Sequence, residues 1–296
     1  MEWVDRNGLT EREFLEQYRA GDYERPSVAA DMVIFTVTDS EVDTRSKPPA
    51  KELRILLIRR GGHPYLGHWA LPGGFIQPDE TGEQAAAREL FEETGVTDVH
   101  LEQLHTFTDP GRDPRTWVIS SSYMALIDSS RVRLQAGDDA EDTVWFKASY
   151  RLLREQKERL EEGRVHTLTY MLTLTAGAVE LTAEVDRIVT LKLTSRSVSY
   201  SVRSNNGLAF DHARIIVYAI ERLRQETEQA DIALHLMPER FTLAELQQVY
   251  EGILDKELAE AVFRDKVAGL VAETDLYKED ALQHSSRLYR RNWEEG

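Results

Sequence analysis

The chain of 296 residues has no cysteine, which excludes a disulfide framework and any thiolate metal site. It also lacks a long apolar run. The first residues, MEWVDRNGLTEREF, are charged throughout and carry no signal-peptide pattern, and no later stretch is apolar enough to span a bilayer. A cytoplasmic protein with no membrane partner is expected. Positive charge is scarce as well: 36 Lys and Arg stand against 52 Asp and Glu, a formal net charge of −16. That balance argues against general attraction to nucleic acid or to anionic lipid, so an anionic ligand would need local help from Arg or a cation. The length suits two domains with a sizeable core.

What is present is concentrated in residues 74–96, GFIQPDETGEQAAARELFEETGV. The Ala-rich run from Glu83 predicts a helix. On that helix Glu89, Glu92 and Glu93 fall at i, i+3 and i+4 and share one face. Three neighbouring carboxylates repel one another unless a divalent cation neutralises them, and hard oxygen donors suit Mg²⁺, with Mn²⁺ as the alternative. Glu80 falls near the helix start, a structural position where a carboxylate can meet free backbone N–H groups. Gly73 and Gly74 follow Pro72 in a tight strand-to-helix loop that lets backbone approach a metal or phosphate closely, and the Gly74 carbonyl is a fourth candidate ligand. Leu90 and Val96 are expected to be buried, and Gly95 to end the helix in the left-handed conformation.

Read as Gly74, five residues, Glu80, seven residues, then R-E-L-x-E-E-x-G-V, this segment resembles the signature of the Nudix hydrolase family at every fixed position. The resemblance implies an α/β fold, the Nudix α/β/α sandwich. It also implies diphosphate hydrolysis at Arg88, Glu89, Glu92 and Glu93, with metal held by Gly74, Glu89, Glu92 and Glu93. Around it, SVAADMVIFTV (residues 27–37), ELRILLIRR (52–60), LEQLHTFTDP and TWVISSSYMALI (116–127) read as strands, and another is expected to end near residues 143–146. Residues 148–162 read as a charged amphipathic helix. HTLTYMLTLTA, RIVTLKL and SVSYSVRS alternate as an added β meander near 164–204, for which dimer contact is one reading.

Further segments narrow the resemblance to Nudix proteins fused to a C-terminal winged helix: YERPS with Asp31, HWALPGGF, TFTDPGRDPR, GDDAEDTVWF, GLAFDH and FTLAELQQVYEGIL. That group includes ADP-ribose pyrophosphatases and Nudix-related transcriptional regulators of NAD metabolism. The resemblance implies hydrolysis of a nucleoside diphosphate linked to another moiety, with ADP-ribose giving AMP and ribose 5-phosphate, and a homodimer. The alternative is an ADP-ribose-sensing regulator that binds DNA. The expected domains are residues 1–206, Nudix with its meander, and 207–296, a linker helix with an α+β winged helix.

Arg112 and Arg115 of the GRDPR loop, and Arg60, are the candidate substrate contacts, since guanidinium forks match diphosphate oxygens. Trp69, Phe107 and Tyr123 are expected in the core rather than stacked on a base. His63, His68 and His105 do not form a metal spacing. Asp138, Asp139 and Glu141 include a possible general base, although an ordinary acidic turn is the plainer reading. In the C-terminal part, FDHARIIVYAIERLRQ (210–225) reads as a helix joining the domains, Thr242 and Glu245 as a capping box, residues 256–270 as the recognition helix, and RLYRRN as the returning strand of a wing. Residues 241–296 hold seven Lys and Arg against twelve Asp and Glu, which disfavours DNA binding, and Asp265 separates Arg264 from Lys266. Arg264, Lys266 and Arg287 are the candidate DNA contacts, with Arg290 and Arg291 nearby.

Overall fold

Residue alternation in one central strand organises the molecule. The computed structural model describes residues 3–40, 50–131, 140–229, 231–279 and 285–292. Strand β1 (Ser27–Asp39) sends Ala30, Met32 and Ile34 to one side of the sheet and Val33, Phe35 and Val37 to the other, and all six are buried. It pairs antiparallel with β2 (Lys51–Arg60) and with the short β4 (Gly73–Phe75), which follows β3 (Trp69–Ala70). Its other edge pairs in parallel with β6 (Val118–Leu126), which carries β5 (His100–Phe107) antiparallel at the rim. A strand buried on both faces reads as a continuous apolar run, which is how VIFTV looks in the sequence.

The ten-stranded sheet continues past β2 through β7 (Ala140–Leu160), β8 (Gly163–Ala176), β9 (Val179–Lys192) and β10 (Arg196–Asn206). The expected helix at residues 148–162 is therefore a strand. Its residues from Lys147 to Leu160 pair with β8 from Thr175 back to Gly163, and the pairing shifts register between Leu152 and Arg154. Beyond Tyr150 the strand is solvent-exposed on both faces, so no alternation of polarity marks it, and the β8 ladder overrides the helix propensity of RLLREQKERL. Likewise the strand expected to end near Phe146 instead passes through it.

Helix α1 (Glu11–Gln17) precedes the sheet and buries none of its residues. Helix α2 (Gly82–Thr94) covers one sheet face with Ala85, Ala86 and Leu90, and the other face is covered by α3 (His212–Gln229), whose buried stripe runs from Ala213 through Ile216 and Ile220 to Leu223. This is the α/β/α sandwich. The same apolar cluster that holds α3 on the sheet continues into α4 (Leu243–Leu254) and α5 (Glu260–Val267), where Tyr250 meets Phe263 edge-on at 5.3 Å. A two-stranded wing, β11 (Val271–Glu279) with β12 (Ser285–Arg291), completes the winged helix. Thr242 caps α4 in the expected box with Glu245. The recognition helix is shorter than residues 256–270. The left-handed Asp255 ends α4 and no side chain caps α5, so 256–259 form the turn between them. Among the described residues no helix is long and apolar enough to cross a membrane.

Candidate functional site

Helix α2 is fixed at both ends by its own sequence. The Thr81 hydroxyl accepts from the Gln84 amide at 3.2 Å while the Gln84 side chain accepts from the Thr81 amide at 2.8 Å, and Gly95 closes the helix at φ 67°. Leu90 and Val96 are buried beneath it. Glu80 does not cap the helix. It accepts from the Gln77 amide at 2.9 Å and from Arg88 at 2.8 and 3.1 Å.

Arg88 joins the acidic residues. Besides Glu80, its guanidinium donates to Glu89 Oε1 at 2.7 Å and lies 3.6 Å from Glu92 Oε2. Glu80 and Glu89 hold the Arg88 charge firmly, and Arg88, with the Gln77 amide, keeps the Glu80 carboxyl below its usual range. Burial pushes the Glu89 carboxyl up despite Arg88, with Glu92 and Glu80 adding to the rise. Glu93, on the inner side of the helix and 7% exposed, is pushed up by burial and by the charges of Glu89 and Glu92, while the Thr143 hydroxyl, donating at 3.1 Å, opposes the shift. A Cβ at Gly74 would fall 2.1 Å from Glu89 Oε1, so the carboxylate rests against bare backbone. Carboxylates raised by burial and by neighbouring carboxylates, beside a glycine that leaves Glu89 room, have the donor chemistry of a hard divalent ion. Among the described residues no three acidic or His side chains are gathered tightly enough to hold an ion without rearrangement, because Arg88 bridges Glu80, Glu89 and Glu92.

Gly73 and Gly74 also border a cavity of about 660 Å³, a size that fits a small ligand. The three Arg residues singled out by sequence, Arg60, Arg112 and Arg115, all line it. Arg60 donates to the Pro64 carbonyl at 2.8 Å and lies 5.0 Å from the Phe210 ring centre. Arg115 is held by Asp113 at 2.7 and 3.0 Å and lies 5.5 Å from Phe75 and 5.8 Å from Phe210. Arg112 is buried and bound in a fork to Asp211 at 2.7 and 3.1 Å, with Asp31 at 3.4 Å. Burial works against its charge, yet the two carboxylates raise its pKa overall. Arg112 therefore braces the wall, whereas Arg60 and Arg115 present cations beside aromatic rings. Phe75, Phe210, Asp211 and His212 were not singled out individually by sequence reasoning; their only signal was membership in PGGF and GLAFDH.

The chain matches the NUDIX domain family over residues 25–165 and the NrtR DNA-binding winged helix domain over residues 233–291. It is 32% identical over 288 residues to the ADPR responsive transcriptional repressor NtrR of Acinetobacter baylyi, covering 96% of this chain and 89% of that one. The chain belongs to the Nudix family, in its winged-helix NrtR group. This Nudix protein is also 38% identical over 132 residues to an ADP-ribose pyrophosphatase of Methanocaldococcus jannaschii, covering 45% of this chain and 67% of that one. Among solved structures it is similar to a MutT/nudix family protein from Enterococcus faecalis, with 29% identity, 96% and 94% coverage and a TM-score of 0.65. Shewanella oneidensis NrtR complexed with a 27mer DNA gives 28% identity, 90% and 93% coverage and a TM-score of 0.58. Nudix hydrolases generally use divalent metal ions.

Elsewhere in this Nudix protein, Trp69, Phe107 and Tyr123 are buried at 8, 1 and 4% exposure. His63 lines the cavity, His68 lies near the Leu66 carbonyl and His105 stacks on Tyr218. Asp138 and Asp139 lie outside the described residues, as does the side chain of Glu141. On the winged helix, Arg264 pairs with Glu260 at 2.9 Å and Arg287 with Glu273 and the Tyr277 hydroxyl. Lys266 is exposed, donates to the Glu228 carbonyl at 2.5 Å and lies 5.9 Å from the Tyr250 ring. Arg291 is turned toward Asp231 and His235.

Proposed function

We propose that this Nudix protein hydrolyses a nucleoside diphosphate linked to another moiety, with ADP-ribose as substrate and AMP and ribose 5-phosphate as products. The observation that carries the reading is the junction at Gly74, where the Glu89 carboxylate abuts the rim of a cavity lined by Arg60 and Arg115. Glu89, Glu92, Glu93 and the Gly74 carbonyl would hold the ion, Mg²⁺ or alternatively Mn²⁺. When bound, it supplies charge neutralisation at the diphosphate and activation of a water. Arg88 orients the carboxylates through its contacts with Glu80, Glu89 and Glu92. Arg60 and Arg115 bind the anion, and Phe75 and Phe210 offer apolar faces to a base. The named pyrophosphatase relative supports the substrate class. Incubation with a panel of nucleoside diphosphate sugars and Mg²⁺, with released monophosphate measured, tests the reading; ADP-ribose is expected to react fastest, and no release from any member of the panel would remove it.

A second reading, a homodimeric ligand-responsive regulator that binds DNA, is favoured by one feature of the fold and by the named repressor relative. Helix α3 begins at the cavity residue His212 and runs about 27 Å to the winged helix, so one rigid element touches both. We place the functional boundary at residues 206/207, just before that connection. Arg264 and Arg287 are the proposed DNA contacts; Lys266, turned toward α3, is a weaker candidate. The two activities are compatible in one chain.

A further inference from the structure

Asp31 and the GLAFDH segment were distinctive in the sequence, yet diphosphate chemistry gives them no part. The fold brings them together. The Trp69 amide donates to the Gly207 carbonyl at 2.9 Å and the Ala209 amide to the Trp69 carbonyl at 2.8 Å, which clips this segment onto β3. Phe210, at φ 50°, then turns the chain into α3 and sets His212 under Leu71. The Leu71 amide donates to His212 Nδ1 at 2.9 Å, so that nitrogen has no proton and the ring proton is on Nε2. Nε2 lies 4.0 Å from Asp31 Oδ1, beyond hydrogen-bond reach. The other carboxylate oxygen, Oδ2, faces Arg112 at 3.4 Å, and Arg112 is itself committed to Asp211. Among the described residues, Oδ1 accepts no hydrogen bond. The buried end of the cavity thus presents one N–H donor beside one carboxylate oxygen with acceptor capacity to spare.

A carboxylate repels phosphate and seeks O–H donors. A hydroxyl can donate to Asp31 and accept from His212 at once, and a neighbouring hydroxyl can use the remaining lone pairs. We propose that Asp31 and His212 read the vicinal hydroxyls of a ribosyl group in the bound nucleotide. Asp31 pairs with Gly73 in the sheet, one residue from Gly74 where Glu89 rests, so the sugar site adjoins the proposed diphosphate site. This assignment rests on the reading of a ribose-containing diphosphate ligand.

Calorimetric titration of the full-length protein in chelator, without turnover, tests it with three probes: ADP-ribose, its 2′-deoxy form altered in the nucleoside ribose, and its 2″-deoxy form altered in the distal ribose. One or both deoxy probes are expected to bind wild type about tenfold or more weakly than ADP-ribose, because a buried charged acceptor loses its donor. The weaker probe identifies which ribose is read. In Asp31→Asn, which keeps an oxygen for Arg112, that gap is expected to shrink at least severalfold. Both deoxy probes binding wild type within twofold of ADP-ribose overturns the inference alone, and so does an undiminished gap in Asp31→Asn. No binding of ADP-ribose to wild type overturns both the inference and the reading beneath it.

Discussion

The two charged regions of this protein, the face of α2 and the surface of the winged helix, differ in what surrounds the charge. On α2 the acids are gathered around one Arg, and burial, helped by the charges of neighbouring carboxylates, raises both the half-buried Glu89 and the buried Glu93. On the winged helix Arg264 and Arg287 are exposed and pair singly with nearby carboxylates. Burial makes the first region a store of unfavourable charge that a cation relieves. Exposure makes the second a set of weak pairs that a polyanion must outcompete. Charge alone therefore reads differently at the two ends: an excess of acid on α2 suits the proposed cation, whereas on the winged helix it lowers the expected affinity for DNA.

The contrast can be sharpened by substitution. Arg112→Ala leaves Asp211 and Asp31 without their buried counter-charge and is expected to cost about 3 kcal/mol in urea unfolding; a loss below roughly 0.5 kcal/mol would mean that the cavity wall does not need this strut. Gly74→Ala pushes a methyl into Glu89 Oε1, the far end of a flexible side chain, so stability should hold while hydrolysis falls by roughly 10²-fold. Unaltered turnover in that variant would separate Glu89 from the chemistry.

Acid–base linkage gives a smaller effect with a definite sign. Since the folded-state pKa of Glu93 lies above the ordinary 4.5, its contribution is fully present below that value and is lost as pH rises through the raised pKa. In chelator, Glu93→Gln is therefore expected to match wild type in thermal melts at low pH and to become more stable than it near pH 7, with Mg²⁺ closing the gap by stabilising wild type. The reverse trend would mean that Glu93 is held ionised by a favourable partner. At the other end, Arg264→Ala should reduce the slope of log K against log salt for duplex DNA by about 1, whereas Lys266→Ala should leave the slope unchanged. Equal slopes for both variants would put Lys266 on the DNA side after all.

How much of this was legible in the sequence follows the range of the contacts involved. Glu89, Glu92 and Glu93 are set by the pitch of a single helix that ends at Gly95, so local spacing sufficed, although the Thr81 cap at its start was not singled out. The strands around Val33 and Met124 were visible as apolar runs. The stretch beyond Tyr150 was not: it is a strand because β8 lies beside it, and its own side chains face water. The buried end of the cavity was hidden for the same reason. Asp31, Arg112, Asp211 and His212 come from three separated parts of the chain, and their ion pairs span 81 and 99 residues. Lys266 lay in the expected helix, but only the position of α3 shows that its ammonium is engaged by the Glu228 carbonyl.

In the proposed reaction the carboxylates of α2 hold a divalent ion that promotes cleavage of a diphosphate. Release of AMP from ADP-ribose by wild type and Glu93→Gln, side by side with and without Mg²⁺, tests it most directly. Mg²⁺-dependent release by wild type is expected, with a loss of at least about 10²-fold in the folded variant. Equal release by both proteins, or release that persists undiminished in chelator, would contradict this reading.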